Sequence, residues 1–377
     1  MKKVLTFIIA GILLFTVGCS SKNSSTTDSK TEEKTQDIPT ITISWGNELH
    51  TGIMNVPLKK VDEFKKSGVY MNPLSDEQFE LIKDNKKIAL LNFIKTKGGS
   101  EVATLMGQGH LDAAFTSNTA MLSAYDQGTK LKILSPVQTD GVGLVFGPDK
   151  NFYGWDDVKE YIKDSNTPMK LGYHSPVSGP RIVLESVLRE QGLTVTEDPG
   201  DSSADVLLVD LKGAQNLLPS LSSKQVDGWI GPSHYPETAE YEKLGKIVLN
   251  LEDFPPIGQW DNFPCCVFAA RDELIEKYPE VFKAMVQLIT DDAKYCMEHK
   301  EEVSGILSEV IGVNEEAIKM SKIKYTTDPT DKWVDGIKVY YDAIDHMGKF
   351  SGELKNKSFD EVKQKIFYFD YAKESNK

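Results

Sequence analysis

The hydrophobic positions of this chain change their period repeatedly between residues 40 and 270. The segment from Thr40 to Trp45 alternates apolar and polar residues, and short apolar runs then alternate with stretches of helical spacing. The other predicted strands cover residues 89–94, 111–115, 131–135, 142–146, 169–173, 205–209, 228–231 and 246–249, and the clearest helices cover 100–107, 180–191, 214–222 and 237–244. After residue 270 the pattern is nearly all helical. Apolar strands between helices predict an α/β fold with parallel sheets covered on both faces.

The first 37 residues differ in character from the rest. Two lysines precede an apolar run over residues 4–17, which ends at Gly18-Cys19. A basic start, a short apolar run and small residues predict a signal peptide over residues 1–18, and the run is too short for a permanent membrane span. Its end resembles a bacterial lipobox, which implies that Cys19 carries a lipid. The alternative is an ordinary cleaved signal in which Cys19 has no role. Residues 19–37, polar after Cys19, are predicted to be a flexible tether.

Charge and cysteine content narrow the class of protein. The chain has 43 basic and 56 acidic residues, a net charge of −13, and only three of the basic residues are arginine. This composition argues against a nucleic-acid partner, which requires a basic face. Beyond Cys19 there are three cysteines, Cys265, Cys266 and Cys296. Adjacent cysteines rarely pair with each other, so we predict small buried hydrophobic residues rather than a disulfide framework.

Two segments about a domain apart repeat one pattern. Residues 106–114 and residues 221–229 each lead from a helix into a strand through an apolar residue, an aspartate and a small residue, with Asp112 and Asp227 in equivalent places. The repetition predicts two lobes of similar design. Open α/β sheets bind ligands beyond the carboxyl ends of their strands, so the strand ends of both lobes should meet at one cleft.

The order of these segments resembles the nitrate, taurine and alkanesulfonate family of ABC-importer binding proteins. The resemblance rests on the helix–Gly-x-apolar-Asp-Ala–strand segment, on residues 128–134 and on residues 171–180 opening a helix, and it covers most of residues 40–300. It implies the type II periplasmic-binding-protein fold, with two α/β lobes, a cleft between them and C-terminal helices. We expect lobe 1 to comprise residues 38–136 and 250–377, and lobe 2 residues 137–249.

Candidate binding residues lie on the loops that follow the predicted strands. Trp45, Asn47 and His50 resemble the Trp, Asn, His-Thr-Gly pattern of a subset of the family that binds pyrimidine precursors of thiamine. Flat rings with polar edges suit a heteroaromatic ligand. The full candidate set is Trp45, Asn47, His50, Ser100, Thr116, Ser117, Asn118, Tyr173, His174, Ser175, Ser178, Ser233, His234, Tyr235, Trp260 and Asn262.

Three of the six histidines, His50, His174 and His234, fall on these loops and with Glu48 could in number satisfy zinc. Their spacing is long and no supporting pattern accompanies them, so we predict hydrogen bonding to an organic ligand, with neither a metal nor a cofactor.

The sequence therefore predicts an extracytoplasmic, membrane-anchored lipoprotein that binds a small molecule and is not an enzyme. It would deliver a small heteroaromatic vitamin precursor, such as a thiamine pyrimidine, to an ABC permease and, through it, to the ATPase subunit. A receptor for a small anion (alkanesulfonate, taurine, nitrate or bicarbonate) is the first alternative, since lysines such as Lys97 and backbone N–H groups also bind anions. A scaffolding or adhesive lipoprotein that reuses the fold is the second.

Overall fold

Two large β-sheets organise the protein. The structure, a computed structural model, describes residues 38–46 and 48–377, so the predicted signal peptide, Cys19, the tether and Asn47 lie outside the described residues. The strands are β1 (Thr40–Trp45), β2 (Val69–Pro73), β3 (Gln78–Lys83), β4 (Lys86–Lys95), β5 (Ala113–Ser117), β6 (Leu131–Pro136), β7 (Gln138–Thr139), β8 (Val142–Phe146), β9 (Met169–Tyr173), β10 (Val195–Thr196), β11 (Val206–Asp210), β12 (Gly228–Pro232), β13 (Lys246–Asn250), β14 (Cys266–Arg271) and β15 (Lys324–Tyr325).

Helices connect these strands and form most of the C-terminal third. They are α1 (Asn55–Lys59), α2 (Val61–Phe64), α3 (Gly99–Gly107), α4 (Asn118–Asp126), α5 (Trp155–Lys163), α6 (Gly179–Glu190), α7 (Leu217–Ser222), α8 (Tyr235–Tyr241), α9 (Asp272–Lys277), α10 (Pro279–Glu298), α11 (Lys300–Ile311), α12 (Glu315–Lys319), α13 (Asp331–His346), α14 (Phe359–Ile366) and α15 (Asp370–Ser375). Short 3-10 turns cover Lys65–Ser67, Ala214–Asn216 and Leu251–Asp253. Across residues 38–46 and 48–377, no helix combines the length and apolar character that a membrane crossing requires.

The first sheet has the strand order β2-β3-β4-β1-β5-β14-β6. Its centre is parallel, since Ile43 of β1 pairs with Phe93 of β4 on one side and with Ala113 of β5 on the other. Two parts of this sheet depart from the predicted parallel arrangement. β2, β3 and β4 form an antiparallel meander, and β14 runs antiparallel to both β5 and β6.

The second sheet has the order β10-β11-β9-β12-β8-β13, and here too the parallel prediction is only partly right. β9 is parallel to both of its neighbours, β11 and β12, but β8 is antiparallel to β12 and β13. Periodicity identifies buried strands but carries no information about their direction. The α/β class is nevertheless confirmed, and the predicted strands match observed ones within two residues at most ends.

The repeated aspartates play the same structural part in both sheets. The Asp112 carboxylate accepts a hydrogen bond from the backbone N–H of Thr42 in the first sheet, at 2.8 Å. The Asp227 carboxylate accepts one from the backbone N–H of Lys170 in the second sheet, also at 2.8 Å. Each aspartate therefore caps the entry of its strand against a parallel neighbour, which explains why the two segments share one pattern.

The C-terminal helices bind the sheets together. Trp333 and Tyr340 of α13 are buried in a hydrophobic cluster that also holds Ile133 of β6 and Leu171 of β9. A small two-stranded sheet adds a further tie, in which Lys324 of β15 pairs with the backbone of β7. The helical segment after residue 270 thus packs on both sheets rather than forming a separate body.

Candidate functional site

One cavity of about 340 Å³ lies where the strand ends of both sheets meet. Loops after β1, β4 and β5 close it from the first sheet, and loops after β9 and β12 close it from the second. Its walls are Gly46, Glu48, His50, Thr51, Lys95, Thr96, Lys97, Gly98, Gly99, Val102, Phe115, Thr116, Ser117, His174, Ser178, Gly179, Pro180, Ala214, Gln215, Pro232, His234, Tyr235, Cys265, Cys266 and Ile311. This volume is at the lower end of the range for small-molecule sites.

Nearly half of the predicted binding residues line this cavity. The seven are His50, Thr116, Ser117, His174, Ser178, His234 and Tyr235. Ser100 and Ser175 do not line it, but their hydroxyl oxygens lie 2.9 Å apart and join the loops of the two sheets. The helix α3 begins at Gly99, so Ser100 is in its first turn and does not cap it.

Two predicted aromatic residues belong to the interior instead. Trp45 is only 4% exposed and packs on Phe93, with ring centroids 4.8 Å apart, because the last residue of β1 points into the core of the first sheet. Tyr173 ends β9 in the corresponding way, and the Arg181 guanidinium stacks over its ring at 5.1 Å. Neither ring faces the cavity, so the prediction that they contact the ligand is not supported by their placement.

Two predicted polar residues are used by the fold. The side-chain amide of Asn118 donates to the carbonyl of Cys265 at 2.8 Å, which ties α4 to the segment before β14. The Ser233 hydroxyl donates to the carboxylate of Glu237, one helical turn along α8. Both side chains therefore make their hydrogen bonds to neighbouring parts of the protein behind the cavity wall.

The segment before β14 contributes less than expected. Trp260 is buried, and its indole N–H donates to the carbonyl of Pro255 at 3.0 Å. Asn262 adopts a left-handed backbone conformation, with φ of 51°, and its side-chain oxygen accepts from Lys324. Both residues therefore stabilise the crossover between the sheets rather than the cavity.

Two histidines on the second sheet's side are held in the neutral form. Burial lowers the pKa of His174 and of His234 to about 4, and the charge on His50 lowers both further. The Nδ1 atom of each ring is buried without a hydrogen-bond partner in the described part of the chain. A protonated ring would need an acceptor for that N–H, which reinforces the neutral state.

His50 is fixed at the back of the cavity by its two ring nitrogens. Nε2 lies 2.6 Å from the carbonyl oxygen of Gly141, and because a carbonyl can only accept, Nε2 carries the hydrogen. Nδ1 lies 2.5 Å from the side-chain nitrogen of Gln138 and 3.4 Å from Sγ of Cys265. The ring orientation is therefore set by groups on two different segments, residues 138–141 and Cys265.

Ionisable groups beside His50 perturb one another. The hydrogen bond from Cys266 lowers the pKa of Cys265 well below its usual value, and His50 adds to this against the effect of burial. Burial alone would lower the pKa of His50, but the charge and hydrogen bond of Cys265 outweigh it and raise that pKa. Burial raises the pKa of Glu48. Clusters of this kind are common at functional sites.

Sequence reasoning missed several wall residues. Lys95 directly follows the predicted strand over residues 89–94, so its position at the strand end could have identified it, whereas Lys97 was considered only for the small-anion alternative. Cys265 and Cys266 are buried as predicted, but they also line the cavity. Cys265 lies 147 residues beyond Asn118 and 215 residues beyond His50, both of which it contacts, and no local pattern indicates that proximity.

Comparison with known proteins places the chain in a family. A model of the NMT1-like family matches residues 80–311, more than half of the chain. The chain belongs to the NMT1-like family. A relative of this NMT1-like protein, the uncharacterized protein MJ1180 of Methanocaldococcus jannaschii, is 30% identical over 151 residues, which are 38% of this chain and 96% of that protein. The nitrate import ATP-binding protein NrtC of Synechocystis is 22% identical over 271 residues, and the chain spans 36% of its length.

Solved structures show the same fold. The nitrate-binding protein NrtA of Synechocystis superposes on the NMT1-like chain with a TM-score of 0.68 and 16% identity, covering 90% of this chain and 88% of NrtA. The ligand-binding component of an ABC-type import system from Staphylococcus aureus, solved with zinc bound, gives 0.66 and 15%, covering 89% and 99%. The fold is thus that of periplasmic binding proteins, as the resemblance implied. These neighbours are binding components and not enzymes, in agreement with the prediction made for this chain.

Proposed function

We propose that the protein is the extracytoplasmic solute-binding component of an ABC importer and that its cavity captures a small, uncharged heteroaromatic molecule of the thiamine-pyrimidine class. The observation that carries this proposal is the pair of neutral imidazoles, His174 and His234, in the wall of a cavity of about 340 Å³. Neutral rings offer a donor and an acceptor to a solute without demanding a counter-charge.

The wall also supplies a flat surface. The rings of His234 and Tyr235 are stacked, with centroids 4.4 Å apart and an interplanar angle of 29°. Offset aromatic pairs of this kind present a face on which a planar ring can pack. Serine and threonine hydroxyls, of which Thr116 and Ser178 line the cavity, can bond the polar edge of such a ring.

Capture depends on contacts that cross between the two sheets. The backbone N–H of Leu49 donates to the carbonyl of Ser233 at 3.2 Å, and the Thr119 hydroxyl donates to the carbonyl of Val177 at 2.6 Å. A solute that touches both sides adds to these contacts only when the strand ends are together. It therefore shifts the equilibrium towards the closed form, which a permease can recognise.

A small-anion receptor is the second candidate. Lys95 and Lys97 lie at the cavity, and the N-terminal end of α3 at Gly99 is part of its wall. Arg181 of α6 does not line the cavity, and its Nη2 pairs with Glu185 at 2.8 Å and also contacts Glu197. No arginine is among the described residues that line the cavity, which favours the uncharged solute.

Thermal unfolding with a panel of solutes tests the choice. Thiamine pyrimidines, riboflavin, taurine, alkanesulfonates, nitrate and bicarbonate are each added to the purified protein, and a solute at a hundred times its dissociation constant should add about 2.7 kcal/mol. His234→Gln should weaken binding of the effective solute at least about tenfold, whereas His110→Gln, on an exposed loop, should not. A midpoint shift with sulfonates or nitrate alone contradicts the heteroaromatic proposal.

The proposed location and partners extend the same reasoning. A lipid on Cys19 would hold the protein at the outer face of the membrane, and residues 20–37 would let it reach the permease. Mass spectrometry of the N-terminal peptide from the natural host tests this, with diacylglycerol expected on Cys19. An unmodified N-terminus at another residue contradicts it.

A further inference from the structure

We infer that His50, Cys265 and Cys266 form a binding site for a thiophilic divalent cation of the zinc class in the wall of the cavity. Their ligand atoms all lie within 4.8 Å of one another, and all three side chains are buried. Two thiolates and one imidazole are a usual zinc donor set when a fourth position stays open.

The distances match a tetrahedral ion. Zinc bonds of about 2.3 Å to sulfur and 2.0–2.1 Å to nitrogen place two sulfurs about 3.8 Å apart and sulfur and nitrogen about 3.6 Å apart. The Sγ atoms of Cys265 and Cys266 are 3.9 Å apart, and Sγ of Cys265 is 3.4 Å from Nδ1 of His50. Two of the three edges already fit, and the third is at most 4.8 Å.

The outer contact of His50 is the one that metal-bound histidines make. Nε2–H donates to the carbonyl of Gly141 at 2.6 Å, which leaves Nδ1 as the nitrogen with a lone pair. That lone pair accepts from the side-chain amide of Gln138 at 2.5 Å, so a cation bound at Nδ1 displaces this amide. A backbone carbonyl in this role orients the ring and increases its basicity. Gly141 has φ of 69°, and a Cβ there would lie 3.0 Å from Nε2, so glycine permits this close approach.

The two adjacent thiols meet because the chain is irregular at this point. Successive side chains in a regular strand point to opposite faces, but β14 begins at Cys266 and Cys265 precedes it. Asn118 fixes the Cys265 carbonyl from both its backbone N–H and its side-chain amide, at 2.9 and 2.8 Å. These two hydrogen bonds fix the backbone at Cys265, and both cysteines line the cavity.

The chemistry of binding balances in charge. One divalent cation displaces the protons of the two thiols, which are released to solvent, and the resulting unit of a dication and two thiolates is neutral, as a buried site requires. Because all three ligands line the cavity, the fourth position faces it. That a nitrogen or oxygen of the solute completes the coordination rests on the function proposed above.

Cobalt substitution tests the site without any solute. The full chain is reduced, freed of metal with a chelator and titrated with Co²⁺. We expect thiolate-to-cobalt charge-transfer absorption and tetrahedral visible bands, both abolished by one equivalent of Zn²⁺. Cys265→Ser and Cys266→Ser should each remove the charge-transfer band or weaken Zn²⁺ binding at least about a hundredfold. Cys296→Ala, which removes a buried thiol outside the cavity wall, should change neither.

Two results would overturn the inference. One is a reduced, folded protein that gives no thiolate–cobalt band, and the other is a band that survives both serine variants. Unfolding midpoints without metal show whether each variant folds, and His50→Gln replaces any serine variant that does not. If the protein binds Zn²⁺ but no panel solute shifts its unfolding midpoint, the proposed solute is refuted and the metal site stands. If a panel solute shifts the midpoint but the protein does not bind Zn²⁺, the metal site is refuted and the proposed solute stands.

Discussion

The hydroxyl oxygens of Ser100 and Ser175 lie 2.9 Å apart, although 75 residues separate them. Ser100 is in the first turn of α3, which follows β4 of the first sheet, and Ser175 is in the loop after β9 of the second. This contact joins the two sets of strand ends at the edge of the cavity. It belongs to the conformation in which the ends are together, so it should contribute to solute affinity through closure.

Ser100→Ala is therefore expected to weaken solute binding two- to tenfold. A hydrogen bond of this type contributes about 0.5–1.5 kcal/mol, and about 1.4 kcal/mol corresponds to tenfold in affinity. Calorimetric titration with the best solute of the panel measures the change. Thr104→Ala is the matched control, since Thr104 is on the same helix but bonds only within it. Fully additive effects of Ser100→Ala and Ser175→Ala would show that the two hydroxyls are not coupled.

Stability should fall as the pH drops below the ordinary histidine range. The pKa of His174 is lowered from 6.5 to about 4 in the folded protein, so between these values the unfolded chain takes up a proton that the folded chain does not. The free energy of unfolding then decreases with falling pH and levels off below about pH 4. At about 1.4 kcal/mol per pKa unit, this histidine accounts for a loss on the order of 3 kcal/mol.

Urea unfolding at a series of pH values between 7 and 4 isolates this effect. The carboxyl groups also titrate in that range, so the informative quantity is the difference between the wild type and His174→Gln. The variant should lose less stability on acidification, whereas His110→Gln, at an exposed position, should follow the wild type. Parallel curves for the wild type and His174→Gln would contradict a neutral His174 in the folded protein.

Substitution of Trp45 distinguishes a role in the hydrophobic core from a role in solute binding. Because this ring is 4% exposed and packs on Phe93, Trp45→Ala should cost about 3–5 kcal/mol in the free energy of unfolding. The folded fraction should keep its solute affinity within about twofold, since Trp45 is not part of the cavity wall. Urea titration and solute titration measure the two quantities separately. Tyr241→Ala, at a ring that is 43% exposed, should change stability by less than about 0.5 kcal/mol. A large affinity loss with unchanged stability would restore the binding role.

Strand-end reasoning identified the location of the cavity better than the identity of its walls. Loops following buried strands could be found from periodicity, and three histidines chosen in this way, His50, His174 and His234, line one cavity in the structure. Side-chain direction at a strand end depends on the pleat and on the sheet to which the strand belongs. Trp45 and Tyr173 end their strands facing inwards, and the sequence alone could not distinguish them from outward-facing residues.

For a related reason, local sequence patterns could not predict the direction of the strands or the position of the segment that leads back to the first sheet at β14. The antiparallel course of β14 between β5 and β6 brings Cys265 and Cys266 to loops of much earlier strands. That proximity is a property of the topology. Only the repeated pattern around Asp112 and Asp227 was a local signal of long-range structure, because each aspartate accepts a hydrogen bond from a backbone N–H of a parallel neighbouring strand.

Gly336 and Gly305 provide a matched pair of helix glycines with opposite expected effects. A Cβ at Gly336 in α13 would lie 2.4 Å from Cδ and 2.7 Å from Cγ of Pro264, a rigid ring that cannot move aside. Gly336→Ala must therefore shift α13 away from the segment before β14, and we expect a loss of about 1–3 kcal/mol. Thermal unfolding measures the loss, which also weakens the tie between the C-terminal helices and the crossover.

At Gly305 in α11 the nearest atom to an added Cβ is Oε2 of Glu315 at 3.8 Å, which is an ordinary contact. Gly305→Ala should stabilise the protein by about 0.5–1 kcal/mol, because alanine loses less conformational entropy on entering a helix than glycine does. The opposite signs make the pair informative, because if any substitution in these helices destabilised the protein, both unfolding midpoints would fall. Equal stabilisation by both variants would show that α13 does not pack tightly against Pro264. It would contradict the conclusion that the C-terminal helices are closely packed against the crossover.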